Sequence, residues 1–197
     1  MTAEFEKSDS DSAVQERVGG WKQVTRDVVY DNPWIQVSHE AVLRPNGTEG
    51  IYGVVHFKSR AIGVVAIDDE NNTWLVKQSR YPNNEITVEI PEGGGPLDED
   101  PLDAAKRELE EETGFKAERW KLLMELRTSN SVTDEVAYIY LARGLLPGKQ
   151  ALEDTEDIEL VKVSVDRAIE MAMNGEIVDA MSVAALLKVA VLQSQSK

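Results

Sequence analysis

The sequence predicts an α/β fold with an N-terminal β-hairpin subdomain added. Three observations carry this. Apolar, β-branched segments of strand length recur between residues 21 and 164, several alternating apolar with polar residues. One acid-rich helical segment interrupts them after residue 100, and two more, 166–173 and 179–192, follow the last strand. At 197 residues, 42% of them hydrophobic, the chain is long enough for one domain with a sizeable core and a small appendage.

Composition argues against several roles. A net charge of −15 disfavours a nucleic-acid backbone or an anionic membrane as partner. The absence of Cys rules out disulfides and thiol chemistry and fits a cytoplasmic location. No run approaches the roughly 18–20 apolar residues of a membrane helix, and the N-terminus lacks the apolar core of a signal peptide. With only His39 and His56, a His-rich zinc site is disfavoured.

In order, residues 1–20 are polar and Ser/Asp-rich and end in Gly19-Gly20, as expected of a mobile acidic tail. Val24, Val28 and Val29 begin a first strand. Ile35, Val37, His39, Ala41 and Leu43 alternate as a half-buried second strand. Arg44-Pro45-Asn46-Gly47 is a turn, and 51–57 is the returning strand. Residues 21–57 therefore form a small β subdomain, with 58–197 as the main domain. Trp21, Trp34 and Tyr52 suit an interface, a base-stacking cleft or plain core packing.

The run 61–67 is a buried strand, 68–72 a turn and 74–78 the return. Arg80 follows on a polar exit, where a guanidinium suits bidentate phosphate recognition or a plain surface position. Residues 85–90 form the next strand, and Glu89-Ile90-Pro91-Glu92-Gly93 leads to the acid-rich segment. Beyond that segment come a strand at 120–128, a polar loop through Glu135, a buried strand at 136–142, a loop at 144–157 and a short strand at 160–164.

The acid-rich segment is organised around residues 92–115. Asp100 is an N-cap, Pro101 takes the first helical position, and Gly114 is a C-terminal stop. At about 100° per residue, Leu102, Ala105 and Leu109 share one arc. Glu108, Glu111 and Glu112 share the neighbouring arc, at i, i+3 and i+4, whereas Glu110 points away. Three like charges at this spacing weaken a helix unless something compensates them. Arg107 screens part of the repulsion, and a hard divalent cation held through oxygen would remove the rest. A solvated acidic face is the plainer alternative.

The spacing is more specific than the helix. Gly93, five residues, Glu99, seven residues, then Arg107-Glu108-Leu109-x-Glu111-Glu112-x-Gly114-Phe115 resembles the Nudix box at every one of its nine fixed positions. The resemblance implies a Nudix fold, a mixed β-sheet sandwiched between helices, and a hydrolase that cleaves a nucleoside diphosphate linked to another group, using Mg²⁺ or Mn²⁺. It implies a metal held by Glu108, Glu111, Glu112 and the carbonyl of Glu92. Catalytic roles are expected of Glu111, of Glu135 as general base, and of Arg107, which with Glu99 orients the box. Arg80, Trp34 and Glu89 are the expected substrate-binding residues. In similar proteins an N-terminal sheet such as 21–57 often pairs across a homodimer. One departure concerns the substrate loop. ADP-ribose hydrolases usually carry a Pro there, whereas this chain has Asn130-Ser131. That favours other nucleoside diphosphate sugars over ADP-ribose, with a non-catalytic nucleotide-sugar-binding module as a third reading. The retention of every box acid argues for catalysis.

Overall fold

The computed structural model describes residues 14–152 and 157–195, and the chain divides into two compact units with the boundary between Phe57 and Lys58. Among the described residues no helix is long and apolar enough to cross a membrane.

The first unit is one antiparallel sheet of four strands in the order β1-β2-β3-β4: Gln15–Glu16, Lys22–Asp31, Ile35–Leu43 and Glu49–Phe57. Its interior is partly polar. Glu40 is 2% exposed, faces Arg17 and Arg26 at 3.6 and 3.8 Å, and accepts a hydrogen bond from buried Ser38. Ser38 Oγ also lies 3.1 Å from His56 Nε2, so His56 is part of the structural network of this sheet. Trp21 meets Tyr52 edge to face at 5.9 Å. Of the tail expected over residues 1–20, positions 1–13 lie outside the described residues. Positions 15–16 form β1, held by the ladder to β2 and by the Lys22–Glu16 ion pair, so this end of the segment is ordered.

The second unit has a seven-stranded mixed sheet. Its main path is β11-β6-β5-β10-β9, with β7 paired to β6 and β8 to β5. The strands are β5 (Ser59–Ile67), β6 (Asn72–Arg80), β7 (Glu85–Glu89), β8 (Glu92–Pro96), β9 (Phe115–Leu126), β10 (Ala137–Pro147) and β11 (Glu159–Ser164). Only β5 and β10 run parallel; the other pairs are antiparallel. Because side chains alternate across a strand, β5 serves two cores. Ile62, Val64 and Ala66 pack with Ala104, Ala105 and Leu109 of α1 (Pro101–Thr113). Val65 and Ile67 pack with α2 (Val165–Asn174) and α3 (Ala180–Gln195) on the opposite face. The sheet is thus sandwiched between helices, as the resemblance implies.

Helix α1 has the expected ends. Asp100 Oδ1 accepts from the Leu102 N–H at 2.8 Å, and Gly114 stops the helix with φ +71°. Two differences bear on the site. The glycine-rich stretch 92–96 is a strand, β8, although Gly-Gly-Gly has poor strand propensity; the exposed edge of β5 recruits it. β9 starts at Phe115 rather than near Trp120, because it pairs with β10 out to Phe115↔Pro147 past a bulge at Ile139/Tyr140. β10 accordingly runs on into the stretch expected to be loop.

Candidate active site

The segment between β7 and β8 is fixed residue by residue. The Ile90 N–H donates to Ser182 Oγ at 2.9 Å, the Pro91 carbonyl accepts from Val64 N at 2.9 Å, and the Glu92 N–H donates to Glu112 Oε2 at 2.9 Å. Next stands Gly93, where a Cβ would lie 2.2 Å from Glu108 Oε2. A side chain at 93 would occupy the space that the Glu108 carboxylate needs. Glycine is required here for close approach of loop and helix.

Helix α1 delivers its acids to that loop because its apolar arc is buried beside them. Glu108 and Glu112 are only 5% and 1% exposed. Arg107 bridges the cluster. Its Nη1 donates to Glu108 Oε1 at 2.7 Å and Glu111 Oε2 at 2.9 Å. Its Nη2 donates to the Gly94 carbonyl at 2.8 Å and Glu99 Oε2 at 3.2 Å. Burial pulls the Arg107 pKa down, but the bond to Glu99 and the charge of Glu108 outweigh it and hold the pKa above its ordinary value. Glu110 is outside this cluster and pairs with Lys116 at 3.2 Å, as its position on the helix predicts.

A second cluster adjoins the first through Glu92. Arg80 Nε donates to both oxygens of Glu89, at 2.9 and 3.1 Å, and Nη2 donates to Glu89 Oε2 and, at 2.6 Å, to Glu92 Oε1. Thr87 and Gln78 complete the shell around Glu89 at 2.6 and 3.1 Å. Burial pushes the Glu89 carboxyl up, but hydrogen bonds from Arg80 and Thr87 outweigh that and hold it below the usual range. Glu89, expected from the sequence to bind substrate, is 2% exposed, and its carboxylate is held by Arg80, Thr87 and Gln78. Glu92 behaves oppositely. Burial, then the negative charges of Asp179 and Glu89, push its carboxyl well above the usual range. Among the described residues nothing hydrogen-bonds its buried Oε2.

Glu135 is on the loop before β10 and accepts a hydrogen bond from Thr128 Oγ1. β5 relates this loop to the box, since Ala61 pairs with Gly94 on one side and Ala137 on the other. Trp34 belongs to the first unit, where it is 70% exposed and its N–H is held by Asn32 Oδ1 at 2.9 Å. The second unit therefore brings Arg80, Glu89, Glu92 and Glu112 together in one hydrogen-bonded cluster and Arg107, Glu108 and Glu111 in another, the two adjoining along the backbone from Glu92 to Gly94. Sequence reasoning missed Asp179 and Ser182. Asp179 is legible as the residue that opens a helix, but nothing in the linear sequence ties it to Glu92.

The donor set suits a hard divalent cation. It is all oxygen, part of it buried, with an orphaned carboxylate oxygen at Glu92 and a glycine that leaves room for Glu108. Among the described residues no three carboxylates already form a coordinating array. Arg107 satisfies Glu108 and Glu111 instead, so a cation would take over oxygens that the guanidinium now holds.

The raised Glu92 carboxyl has a consequence for stability. An acid whose folded pKa exceeds its unfolded value binds more protons in the native state, so stability falls as pH rises through that interval. In metal-free protein at neutral pH, Glu92→Gln removes this penalty and raises Tm. The gain disappears as pH falls to about 4, where the unfolded carboxyl is itself protonated. Thermal melts across pH in a chelator check this, and a lower Tm for the variant at neutral pH contradicts it.

Comparison with known proteins agrees with this geometry. A family model described as NUDIX domain matches residues 57–184, and one described as Nucleoside diphosphate sugar hydrolase N-terminal domain matches residues 21–55. The chain is 32% identical to an ADP-ribose pyrophosphatase of Bacillus subtilis over 167 residues, covering 84% of this chain and 90% of that protein. It is 34% identical to an ADP-ribose pyrophosphatase of Mycobacterium tuberculosis over 175 residues, covering 86% and 83%. A methanol dehydrogenase activator of Bacillus methanolicus matches at 32% over 84% of this chain and 90% of its own. A solved structure titled as that of an ADP compounds hydrolase has the same fold, with a TM-score of 0.82 at 20% identity over 92% of this chain and 98% of that one. The motif, its three-dimensional arrangement and these matches agree, and the chain belongs to the NUDIX family of hydrolases.

Proposed function

We propose that this Nudix hydrolase cleaves the diphosphate of a nucleoside diphosphate sugar, giving a nucleoside monophosphate and a sugar phosphate. The observation that carries the reading is the convergence of Glu108 and Glu112 on the glycine loop, with Glu111 linked to Glu108 by Arg107. The match of residues 21–55 to the N-terminal domain of nucleoside diphosphate sugar hydrolases supports this substrate class. Within it, the names of two relatives favour ADP-ribose, whereas Asn130-Ser131 favours other sugars.

Glu108, Glu111, Glu112 and the Glu92 carbonyl are the oxygens that would hold Mg²⁺ or Mn²⁺. Such an ion, when bound, neutralises the diphosphate, stabilises the leaving phosphate and acidifies water. Arg107 and Glu99 keep the box loop on the helix. Arg80, braced by Glu89, has Nε and Nη2 committed and offers Nη1 to a phosphate oxygen. Glu135 takes the proton of the attacking water as one phosphorus–oxygen bond forms and the bridging one breaks. Thr128 occupies Glu135 Oε2 and leaves Oε1 for that work. Trp34 is an exposed aromatic suited to stacking on a base. The exposed Val28, Tyr30 and Ile51 of the first unit support pairing across a homodimer; a fully active monomer in sedimentation at micromolar concentration would remove that idea.

The test is a Mg²⁺-dependent hydrolysis panel over ADP-ribose, ADP-glucose, GDP-mannose and UDP-glucose, with products identified by mass. We expect a monophosphate and a sugar phosphate from at least one of them; no turnover of any sinks the reading. Glu112→Gln loses activity by orders of magnitude, whereas Glu110→Gln, outside the cluster, changes it little. Glu135→Gln lowers kcat by about 10²–10⁴-fold with KM and metal affinity nearly unchanged. A loss below about threefold, together with an inactive Glu111→Gln, moves the base into the box.

A further inference from the structure

Three elements pin the three residues that precede Gly93, and two of them have evident roles. Glu112 of α1 belongs to the acid cluster, and Val64 of β5 belongs to the sheet. The third is α3, which reaches the loop through one side chain, Ser182. Its hydroxyl oxygen accepts the Ile90 N–H at 2.9 Å, and both residues are 0% exposed. Ser182 is in turn fixed by Asp179, whose Oδ2 accepts the Ser182 N–H at 2.7 Å while its carbonyl accepts the Val183 N–H at 2.9 Å.

The packing at this junction has no slack. A Cβ at Gly63 would lie 3.0 Å from both Ile90 Cδ1 and Met181 Cε, so β5, the loop and the first turn of α3 meet at van der Waals contact. Pro91 has no N–H, so Ile90 is the nearest upstream amide that can anchor the Glu92 carbonyl. Asp179 also bears on the site by charge, as one of the groups that oppose ionisation of Glu92.

We propose that Ser182, capped by Asp179, is a positioning residue. By holding the Ile90 amide it sets the depth and orientation at which the Glu92 carbonyl and Gly93 face the α1 carboxylates. Resting on the metal-dependent hydrolase reading above, this makes the C-terminal helix part of the catalytic apparatus. The loop is then a three-point mount between α1, β5 and α3, and loosening one mount degrades cation binding without removing any ligand.

Four variants test this: Ser182→Ala, Asp179→Ala, Asp179→Asn and Val189→Ala. The last shortens a buried α3 side chain away from the junction and reports general loss of stability. Metal-free amide exchange at 90–94, Mn²⁺ titration of the free enzyme and Mg²⁺ activation of kcat are compared. Ser182→Ala is expected to speed exchange at Ile90 and Glu92 and to weaken Mn²⁺ binding by about 10–100-fold, with kcat falling in parallel. KM for substrate at saturating Mg²⁺ stays within about threefold of the parent. Asp179→Ala shifts the same way, Asp179→Asn keeps an oxygen acceptor for the Ser182 N–H and restores parent-like exchange at Ile90 and Glu92, and Val189→Ala shows neither change. Parent-like Mn²⁺ affinity in Ser182→Ala overturns the proposal, as does an equal shift in Val189→Ala. Should Ser182→Ala fail to fold, the contrast between Asp179→Ala and Asp179→Asn decides, and its absence overturns the proposal. Exchange and Mn²⁺ binding need no substrate, so a parent enzyme inactive on the whole panel sinks the substrate reading and leaves this one decided separately.

Discussion

The structure depends on one constraint: two carboxylates of α1, Glu108 and Glu112, are buried side by side against a loop that has no side chain at Gly93. They are 5% and 1% exposed, and each needs an electrostatic partner. The fold supplies the Arg107 guanidinium to Glu108 and the Glu92 backbone N–H to Glu112. Neither acid could be there without the apolar arc next to it. Ala104, Ala105 and Leu109 bury α1 on the sheet, and the neighbouring acidic arc is carried down with them. Packing thus forces an unfavourable charge arrangement, and a hard cation is the natural relief for it.

β5 is what makes the arrangement hold. It lies between the strand that carries the glycine loop and the strand entered from the Glu135 loop, through the pairings Gly94↔Ala61 and Ala61↔Ala137. Its even-numbered side chains secure α1 and its odd-numbered ones α3. Residues far apart in the chain, such as Arg80, Glu112 and Asp179, come to bear on Glu92 because all three elements are mounted on or beside that strand. Arg80 is drawn into the same arrangement, pairing with both Glu89 and Glu92.

Helix α1 with both caps and the acidic arc were legible in the sequence because each follows from local pattern, whereas the sandwich followed from the resemblance of the box to a known family. Asp100 and Gly114 are stereotyped helix ends, and the spacing of Glu108, Glu111 and Glu112 dictates a shared face. The less legible parts depend on partners distant in the chain. β8 is a strand only because β5 has an edge to pair with, and β9 extends to Phe115 only because β10 continues to Pro147. Glu89 resembles a ligand-facing acid in the linear chain, yet in the fold Gln78, Arg80 and Thr87 enclose it. Ser182 was invisible for the same reason: a serine early in a helix carries no mark of the amide it will accept from ninety-two positions upstream.

If buried acids held in mutual repulsion are the organising feature, metal and stability must be linked through them. The most direct measurement is the melting temperature of the parent and of Glu112→Gln, each with chelator and with saturating Mg²⁺. The account predicts that Mg²⁺ raises the Tm of the parent, because a ligand that binds only the native state stabilises it. It predicts that metal-free Glu112→Gln melts no lower than the metal-free parent, since an uncharged isostere still accepts the Glu92 N–H, and that Mg²⁺ barely moves it. A parent Tm indifferent to Mg²⁺, or a metal-free variant that melts well below the parent, would contradict the account.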